Sequence, residues 1–438
     1  MRRFAPLAVS VLGLAARAQE TPTPHGTEPA HPNVVIIVAD DLGYGDLGCY
    51  GGKDIPTPRI DALAASGARC TDGYVTCPVC APTRAGLLSG RYQQRFGLEL
   101  NPGPPKAAAE GYGLPRTEPT LAETLGGAGY DTGMVGKWHL GYGDGLRPPE
   151  RGFASFYGFL SGAHPYRIAG DNPANPILRG LEPSKPTKYL TAQFADEAVA
   201  FVRKQREQPF FLYLAFNAVH APLQAPQAVR AQLDAITEPK RRTYAGMLVA
   251  LDQAVGQVLD ALHEAKLDER TLVMFVSDNG GPTPTTTASN GPLRGHKGQV
   301  WEGGIRVAFM LRWPGRIPAG STFALPCNSL DLHKTALAAA GVAGRAELEG
   351  NDLLPWLRGE RDEPVHEALF WRFGAQRAVR AGDLKLVQAA DGKVQMFDLA
   401  QDLGEQHDLA AAREDDVKRL EALYATWNEH NVEPHWRR

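Results

Sequence analysis

The chain has 438 residues, enough for two or three domains, and 43% of them are hydrophobic, so a large core can form. Its formal net charge is −3 and its pI is about 6.5, so the sequence lacks the broad positive field of a nucleic-acid-binding protein. We therefore expect no nucleic-acid partner, and any positively charged site must be local.

The N-terminal residues have the pattern of a targeting signal. Two arginines precede the apolar run LAVSVLGLAA, and the sequence ARA at its end has the small-x-small form of a cleavage site. This pattern predicts a signal peptide over residues 1–18, and a Pro-rich linker follows over 19–32. The alternative is an uncleaved anchor, but the run is too short to span a bilayer and no comparable run follows it. We expect an exported, periplasmic or extracellular protein with no membrane span, and the lack of an Asn-x-Ser/Thr sequon favours a bacterial source.

Three continuous apolar runs predict strands that are buried on both faces, as in a parallel sheet. They are NVVIIVAD, which ends in Asp40-Asp41, PFFLYLAFN, which leads to His220, and TLVMFVSDNGG, which contains Asp278-Asn279. Shorter strands are predicted in YDTGMVG and VAFMLRW, and helices in TPRIDALAASG, LAETLGGAG and YLTAQFADEAVAFVRKQ. The alternation predicts an α/β fold with a large, mostly parallel sheet flanked by helices on both faces.

Polar side chains follow several of these strands. In open α/β sheets, ligands bind beyond the carboxyl ends of the strands. The residues that fall there are Asp40, Asp41, Lys137, His139, His220, Asp278 and Asn279. One polar residue at a strand end is usually a turn former, but convergence from four strands predicts a functional site.

The pattern of apolar and polar residues changes after about residue 359. The short alternating runs ALFWRF, RAVRAG, LKLVQAA and QMFDLA predict a small antiparallel sheet. The following segment AREDDVKRLEALYATWNEH has the apolar spacing of an amphipathic helix, whose aromatic residues we expect to pack on that sheet. We therefore predict an α/β catalytic domain over 33–359 and a C-terminal α+β subdomain over 360–438.

The stretch CPVCAPTRAGLLSGR, residues 77–91, allows two interpretations of its cysteines. Cys77 and Cys80 have the C-x-x-C spacing of a redox dithiol or a structural disulfide. The chain is much longer than a thioredoxin-like unit, which would not require carboxylates and histidines at strand ends. The total of five cysteines is odd, so at least one is left unpaired: Cys49, Cys70, Cys77, Cys80 and Cys327.

The continuation of this stretch resembles the signature of the type I sulfatases, C-x-P-x-R followed by L-[S/T]-G-R. In that family the motif cysteine, here Cys80, is oxidised to Cα-formylglycine before or during export. Further matches follow in order along the chain: NVVIIVADDLGYGDLGCYGG, GMVGKWHLG, NAVHAP, VMFVSDNGG, LRGHKGQVWEGGIRV and FDLAQDLGEQHDLA. The chain is thus similar to the arylsulfatases and glycan sulfatases of the alkaline-phosphatase-like superfamily, and most similar in pattern to the arylsulfatase and N-acetylgalactosamine-6-sulfatase branch.

The resemblance implies a divalent metal site in this chain. Its ligands are Asp40, Asp41, Cys80 as formylglycine, Asp278 and Asn279. The carboxylate and amide oxygens independently favour a hard cation, Ca²⁺ or Mg²⁺, over zinc. The residue at position 80 suits an anionic oxygen, because Pro82 can begin a helix whose N-terminal dipole favours negative charge.

The resemblance also implies the catalytic set Cys80, Arg84, Lys137, His139, His220 and Lys297. Arg84 holds the hydrated aldehyde, and the two lysines bind sulfate oxygens. His139 deprotonates the second hydroxyl of the diol, and His220 protonates the leaving alcohol. A disulfide between Cys77 and Cys80 would prevent the oxidation.

The substrate is less well defined by the sequence. The resemblance points to a sulfated carbohydrate, and a formylglycine-generating enzyme is the expected maturation partner. Two loops are predicted to rim the pocket, and their candidate sugar-binding residues, for which ordinary loop or packing roles are equally expected, are His164, Arg167, His296 and Trp301. Arg294 and Glu302 are predicted to be structural.

Two other functions fit the same scaffold. A phosphonate monoester or phosphodiester hydrolase would use the same metal and formylglycine on a different ester. An inactive, exported glycan-binding protein would keep the fold without the chemistry, but binding alone would not require the nucleophile.

Overall fold

The structure, a computed structural model, describes Met1 and residues 31–103, 111–167 and 174–435. The predicted signal peptide, and all but residues 31 and 32 of the predicted linker, lie outside the described residues. The strands are β1 (Asn33–Ala39), β2 (Ala68–Cys70), β3 (Gly73–Tyr74), β4 (Asp131–Lys137), β5 (Ser155–Phe159), β6 (Ile177–Arg179), β7 (Glu182–Ser184), β8 (Phe210–Ala215), β9 (Thr271–Ser277), β10 (Phe309–Arg312), β11 (Ser321–Phe323), β12 (Cys327–Asn328), β13 (Leu369–Phe373), β14 (Gln376–Ala381), β15 (Leu384–Gln388) and β16 (Val394–Asp398). The helices are α1 (Pro58–Ala65), α2 (Cys80–Ser89), α3 (Leu121–Gly127), α4 (Leu190–Arg203), α5 (Gln227–Arg230), α6 (Pro239–Glu264), α7 (Thr283–Thr286), α8 (Glu302–Ile305), α9 (Ser329–Ala339), α10 (Leu354–Leu357) and α11 (Glu414–Asn428).

A ten-stranded sheet in the order β11-β2-β10-β9-β1-β8-β4-β5-β6-β7 forms the centre of the fold. The central strands β9, β1, β8, β4 and β5 pair in parallel. Antiparallel pairs join β10 to β9 and β2 on one side, and β5 to β6 and β6 to β7 on the other. The predicted large, mostly parallel sheet is confirmed, and the carboxyl ends of β1, β4, β8 and β9 therefore lie at one edge.

The sheet is covered on both faces, because its central strands carry buried apolar residues on both faces. All seven residues of β1 are buried. Val34, Ile36 and Val38 point into one hydrophobic core, whereas Val35 and Ile37 point into the other. This two-residue alternation is what a pleated strand between two helical layers requires.

The longest helix, α6, begins at a clear N-terminal signal. The Glu238 side chain accepts hydrogen bonds from the first-turn amides, and Pro239 occupies the first turn. Among the described residues, α6 is the one helix long and apolar enough to cross a membrane by length and composition, but 72% of its apolar window is buried inside the protein. It packs against α4 and belongs to the core of the α/β domain.

The C-terminal region forms a four-stranded antiparallel sheet in the order β13-β14-β15-β16, followed by α11. The predicted small sheet and terminal helix are confirmed. Trp427 of α11 stacks on Phe370 of β13 with ring centroids 5.1 Å apart, which is the packing role expected from the sequence. The division of the chain at residues 359 and 360 stays a prediction.

A buried charged cluster joins the C-terminal sheet to α8. The Lys385 ammonium of β15 donates to Glu302 Oε1 at 2.7 Å and to Glu405 Oε1 at 2.9 Å. The backbone N–H of Glu302 donates to Glu405 Oε2 at 2.8 Å. Arg294 lies over the ring of Trp301 and donates to the carbonyl of Glu405 at 2.6 Å. Glu302 and Arg294 thus have structural contacts, as the sequence led us to expect.

Candidate active site

Four strand ends bring the predicted site residues to one edge of the large sheet. The register of β1 and β9 pairs Ala39 with Ser277, so that Asp40 and Asp278 emerge side by side. The N–H of Asp41 donates to Asp278 Oδ1 at 3.3 Å. Asp41 has a φ of 61°, in the left-handed region that is rare for residues with a side chain, which indicates that its surroundings hold it in place.

Cys80 lies at the start of α2, directly above this edge. The helix begins at Cys80 itself, two residues before the predicted start at Pro82, and all ten of its residues are buried. Cys80 Sγ is 3.7 Å from Asp40 Oδ1 and 3.3 Å from Lys297 Nζ. The helix N-terminus adds a partial positive charge beside the Cys80 side chain.

Cys77 has a different environment. Its thiol faces the carbonyl of Glu99 at 3.9 Å, and both Cys77 and Cys80 are free thiols in this structure. The arrangement leaves Cys80 available for modification.

The acidic and basic side chains of the site are paired. Arg84 donates from Nε and Nη2 to Asp278 Oδ2 at 2.9 and 2.7 Å, and from Nη1 to the carbonyl of Lys137 at 3.0 Å. The Lys137 ammonium lies 2.6 Å from Asp40 Oδ2. The site contains equal numbers of acidic and basic side chains. The acidic ones are Asp40, Asp41 and Asp278, and the basic ones are Arg84, Lys137 and Lys297.

These pairings determine the ionisation of the buried groups. Burial opposes ionisation of Asp40, but Lys137, His220 and Arg84 together outweigh it and hold the pKa of Asp40 well below its usual range. Burial raises the pKa of the Cys80 thiol to about 12, and Lys137 and Lys297 offset only part of that effect. An unmodified Cys80 would therefore be a neutral thiol at neutral pH and a weak nucleophile.

The donor atoms of the site fit a hard cation. Ligand atoms of Asp40, Asp41, Cys80 and His220 all lie within 4.8 Å of one another. Asn279 is fully buried, and its Nδ2 donates to Asp41 Oδ1 at 2.8 Å while its Oδ1 has no hydrogen-bond partner among the described residues. A buried amide oxygen without a donor is costly, and a cation bound beside Asp41 would satisfy it.

Asp278 and His220 both lie next to Asp41. Asp278 lies beside the group of donor atoms, with Oδ2 held by Arg84, so that Oδ1 is the oxygen left to face Asp41. His220 was assigned to proton transfer rather than to the metal, but its Nε2 is 3.7 Å from Asp41 Oδ2. Its Nδ1 contacts the carbonyl of Ala221 at 2.6 Å, an arrangement that orients the ring and points Nε2 into the site.

His139 lies opposite His220. It has a φ of 61° and follows the end of β4. Burial lowers the pKa of His139 well below its usual value, and the positive charges of Lys137 and Arg84 lower it further. Its buried Nδ1 has no hydrogen-bond partner among the described residues, and a Cβ on Gly162 would lie 2.6 Å from its Nε2. The neutral ring is thus available to accept a proton.

A cavity of about 500 Å³ opens onto Cys80. Its walls are formed by Cys80, Asn101, Pro102, Gly103, His139, Tyr142, Ser161, Gly162, Ala163, Ala174, Asn175 and His220. Asn175 lies in the loop of residues 161–176, which the sequence predicted to rim the pocket, whereas sequence reasoning missed Asn101 and Tyr142, which lie outside the recognised motifs. Asn101 Oδ1 accepts from the N–H of Ala81 at 2.9 Å, but no pattern in the sequence indicates that long-range contact.

The four predicted sugar-binding residues do not line this cavity. His164 is buried with its Nδ1 2.7 Å from the carbonyl of Pro165, and Arg167 is exposed. His296 is half-buried, and its Nδ1 contacts the carbonyl of Lys297 at 2.9 Å. Trp301 is only 6% exposed and packs against Phe397, which supports the packing role that the sequence left open.

The chain is similar to known sulfatases in sequence. A family profile described as "Sulfatase" matches residues 32–342, and one described as "N-sulphoglucosamine sulphohydrolase, C-terminal" matches residues 296–432. Human arylsulfatase A is 37% identical over 374 residues, which cover 78% of this chain and 70% of that protein. Dog N-acetylgalactosamine-6-sulfatase is 34% identical over 390 residues, which cover 82% of this chain and 72% of that protein.

Solved structures give the same result. The crystal structure of Ps i-CgsB in complex with k-i-k-neocarrahexaose superposes with a TM-score of 0.88 at 35% identity, covering 93% of this chain and 94% of that one. The sulfatase profile covers most of the chain, and the similarity to the relatives extends over more than two thirds of their lengths. The chain therefore belongs to the sulfatase family and is an enzyme that hydrolyses sulfate esters.

Proposed function

We propose that this sulfatase releases sulfate from a sulfated carbohydrate through a hydrated formylglycine at position 80, assisted by a divalent cation. The observation that carries this proposal is the position of Cys80 within its motif. It starts α2 between Asp40 Oδ1 and Lys297 Nζ, where an oxygen nucleophile would face both the cation ligands and a sulfate-binding ammonium. A thiol whose pKa is raised by burial is poorly suited to attack sulfur directly.

The negative charge of the substrate must be compensated at position 80. A sulfate monoester is negatively charged, so attack on sulfur requires compensation of that charge. The balanced set of carboxylates and cations contributes no net charge, and a divalent cation, held by Asp40, Asp41, Asp278 and Asn279, supplies Lewis-acid stabilisation when bound. Lys137 and Lys297 are then free to exchange their carboxylate contacts for sulfate oxygens.

The first step transfers the sulfuryl group to the enzyme. One hydroxyl of the hydrated aldehyde gives its proton to a carboxylate of the site, which later returns it to solvent, and its oxygen forms a bond to sulfur as the bond between sulfur and the substrate oxygen breaks. His220 gives a proton to the departing alkoxide, and Arg84 holds the diol. His220 suits this role because its oriented ring presents Nε2 to the cavity.

The second step releases sulfate by elimination. His139 takes the proton of the remaining hydroxyl, the aldehyde carbonyl reforms, and the bond between the diol carbon and the sulfate oxygen breaks. The low pKa of His139 keeps its ring unprotonated, and its Nδ1, which has no hydrogen-bond partner among the described residues, is the atom that can take this proton. Water then rehydrates the aldehyde, so no water needs to attack the covalent intermediate.

The proposal includes export of the protein and its maturation by oxidation of Cys80. The N-terminal targeting pattern supports export to the periplasm or the extracellular space, with oxidation of Cys80 by a formylglycine-generating enzyme on the way. The similarity to N-acetylgalactosamine-6-sulfatase and to the carrageenan-oligosaccharide complex supports a carbohydrate substrate.

The decisive experiment is mass spectrometry of the Cys80 peptide from active, exported protein, combined with assays of two matched variants. We expect formylglycine at position 80, no turnover by Cys80→Ala and near wild-type turnover by Cys77→Ala. Unmodified Cys80 in fully active enzyme would refute the mechanism. Loss of activity only in Cys77→Ala would instead support a dithiol. Parallel assays on aryl sulfate, phosphodiester and phosphonate monoester substrates test the reaction class.

A further inference from the structure

A second cavity lies beside the active-site cavity and has a volume of about 540 Å³. Three segments form its walls: Glu99-Leu100, the hairpin of residues 372–376 between β13 and β14 together with Ala390, and Glu433-Pro434 near the C-terminus. None of the catalytic residues described above lines it. We call it the hairpin cavity.

A single loop connects the hairpin cavity to the active site. Glu99 and Leu100 line the hairpin cavity, while the next three residues, Asn101, Pro102 and Gly103, line the active-site cavity. An extended chain advances by at most about 3.6 Å per residue, so these five residues place the two walls within roughly 18 Å of each other. The two cavities are therefore close enough together for one elongated ligand to span the distance between them.

The hairpin itself provides an independent connection. Gln376 Nε2 donates to the carbonyl of Gly298 at 2.9 Å, and Gln376 Oε1 accepts from the N–H of Val300 at 3.4 Å. Gly298 follows Lys297, whose ammonium lies 3.3 Å from Cys80 Sγ. A ligand held by the hairpin would thus rest on a segment that is hydrogen-bonded to the loop carrying a catalytic lysine.

The walls of the hairpin cavity combine an aromatic ring with fixed polar groups. Phe373 is half-buried, and Pro434 and two alanines add apolar surface. The Arg372 guanidinium is held by the Glu99 carboxylate, with Nε 3.1 Å from Oε2. In a site that binds a sugar, an aromatic ring packs against the C–H face of the pyranose and nearby polar groups bind its hydroxyls. The walls of the hairpin cavity have this composition.

The charge of the hairpin cavity differs from that of the active site. Its charged wall residues are Glu99, Arg372 and Glu433, which sum to a net negative charge. A second sulfate would be repelled here, whereas an uncharged sugar would not.

We propose that the hairpin cavity binds an unsulfated sugar unit of the same glycan whose sulfated unit occupies the active-site cavity. This inference rests on the proposed function and narrows its substrate class to sulfated oligosaccharides or polysaccharides that have an uncharged unit close to the sulfated one. A free sulfated monosaccharide would use only one of the two cavities.

The test compares substrates of increasing length. The probes are 4-nitrophenyl sulfate and singly sulfated galactose, N-acetylgalactosamine and glucosamine, each alone and extended by one to three neutral galactose units. We expect kcat/KM to rise by about tenfold or more with extension in the preferred series, mainly through a lower KM, which corresponds to about 1.4 kcal/mol of added binding.

Two matched variants localise the effect. Ala390 is exposed and lines the hairpin cavity, so Ala390→Trp fills it without entering the core, whereas Ala400→Trp changes an exposed turn residue outside its walls. We expect Ala390→Trp to lose the gain with length, Ala400→Trp to keep it, and both to hydrolyse 4-nitrophenyl sulfate at the wild-type rate. A second sulfate on the neighbouring unit should reduce kcat/KM several-fold.

The outcomes separate the two proposals. If the wild type does not hydrolyse 4-nitrophenyl sulfate or any of the sulfated sugars, the proposed function fails. If it hydrolyses them without a gain with length in any series, or if Ala390→Trp keeps that gain, the hairpin cavity is not a sugar subsite. Faster turnover of the doubly sulfated probes would overturn the assignment of an uncharged unit.

Discussion

At the scale of single residues, the site is a buried arrangement of opposite charges that a bound cation would complete. The sequence predicted its members because each lies in its own motif, most of them after the end of a strand. It did not predict that Arg84 would donate hydrogen bonds to Asp278, or that Asn279 Oδ1 would lack a hydrogen-bond partner among the described residues. Both features depend on side-chain orientation. Asn101 was missed for a related reason, because it reaches Ala81 from a loop without a recognisable pattern.

Removal of the cation tests the role of Asn279. We expect chelation to abolish sulfatase activity and Ca²⁺ or Mg²⁺ to restore it. Asn279→Ala removes the Oδ1 atom that we expect to bind the cation. In this variant the cation concentration that gives half-maximal activity should rise by about tenfold or more. The exposed residue Asp362 supplies the control, Asp362→Ala, for which the concentration should not change. Full activity of the wild type after exhaustive chelation would contradict the cation site.

The proposed elimination step can be isolated by removing its base. In His139→Ala we expect one equivalent of alcohol to be released per active site, followed by turnover slowed by about 10²- to 10⁴-fold. Mass spectrometry should then find sulfate attached to the residue at position 80. The exposed His263 gives a matched control, His263→Ala, with wild-type kinetics. Slow turnover with no burst and no adduct would mean that His139 acts before sulfur transfer.

At the scale of elements, apolar runs identified the strands better than the helices. The predicted strand NVVIIVAD corresponds to β1, and TLVMFVSDNGG contains β9, because continuous β-branched runs suit strands buried on both faces. The 26-residue α6 was not predicted, although Pro239 and the helical spacing of its apolar residues could have indicated it. The short edge strands β6 and β7 carry too few residues for a periodic signal.

The pairing of β4 with β8 depends on a glycine that precedes Lys137, a predicted catalytic residue. Gly136 has a φ of 110°, and a Cβ there would lie 1.9 Å from the carbonyl oxygen of Ala215. Gly136→Ala should therefore force the strands apart, displace Lys137, lower the thermal unfolding midpoint by the equivalent of about 2 kcal/mol or more and abolish activity. The control Gly127→Ala adds a Cβ to open space on α3 and should be neutral or slightly stabilising. A Gly136→Ala protein with wild-type midpoint and activity would show that the sheet adapts.

At the scale of the whole molecule, the cluster of Glu302, Lys385 and Glu405 couples the C-terminal sheet to the active site. Glu302 starts α8, a few residues after Lys297, so the cluster also anchors the segment that follows this predicted catalytic residue. Two carboxylates share one ammonium here. Burial opposes ionisation of Glu302, but Lys385 and Arg306 outweigh it and lower its pKa to about 2. Burial raises the pKa of Glu405 to about 7, with Glu302 adding repulsion and Lys385 offsetting part of the rise.

The opposite shifts predict how the stability of this junction depends on pH. Glu302, whose pKa is depressed in the fold, stabilises the protein above its ordinary pKa of 4.5 and loses that contribution as the pH falls toward 2. Glu405, whose pKa is raised, contributes fully below 4.5 and loses its contribution as the pH rises through about 7. Between pH 4.5 and about pH 7, Glu405 is the one of these two carboxylates whose contribution to stability changes. This contribution should fall as the pH rises.

The variant Glu405→Gln removes this titration while keeping the size of the side chain. A lost hydrogen bond would offset its thermal unfolding midpoint equally at all pH values, so the informative quantity is the change in midpoint between pH 5 and pH 8. From pH 5 to pH 8, we expect the unfolding midpoint of Glu405→Gln to decrease less than the midpoint of the wild type, because the glutamine side chain stays neutral. Glu360 is exposed and lies outside the cluster, so Glu360→Gln should follow the wild type. If Glu405→Gln and the wild type have parallel pH profiles, Glu405 is ionised throughout this range and the junction does not respond to pH.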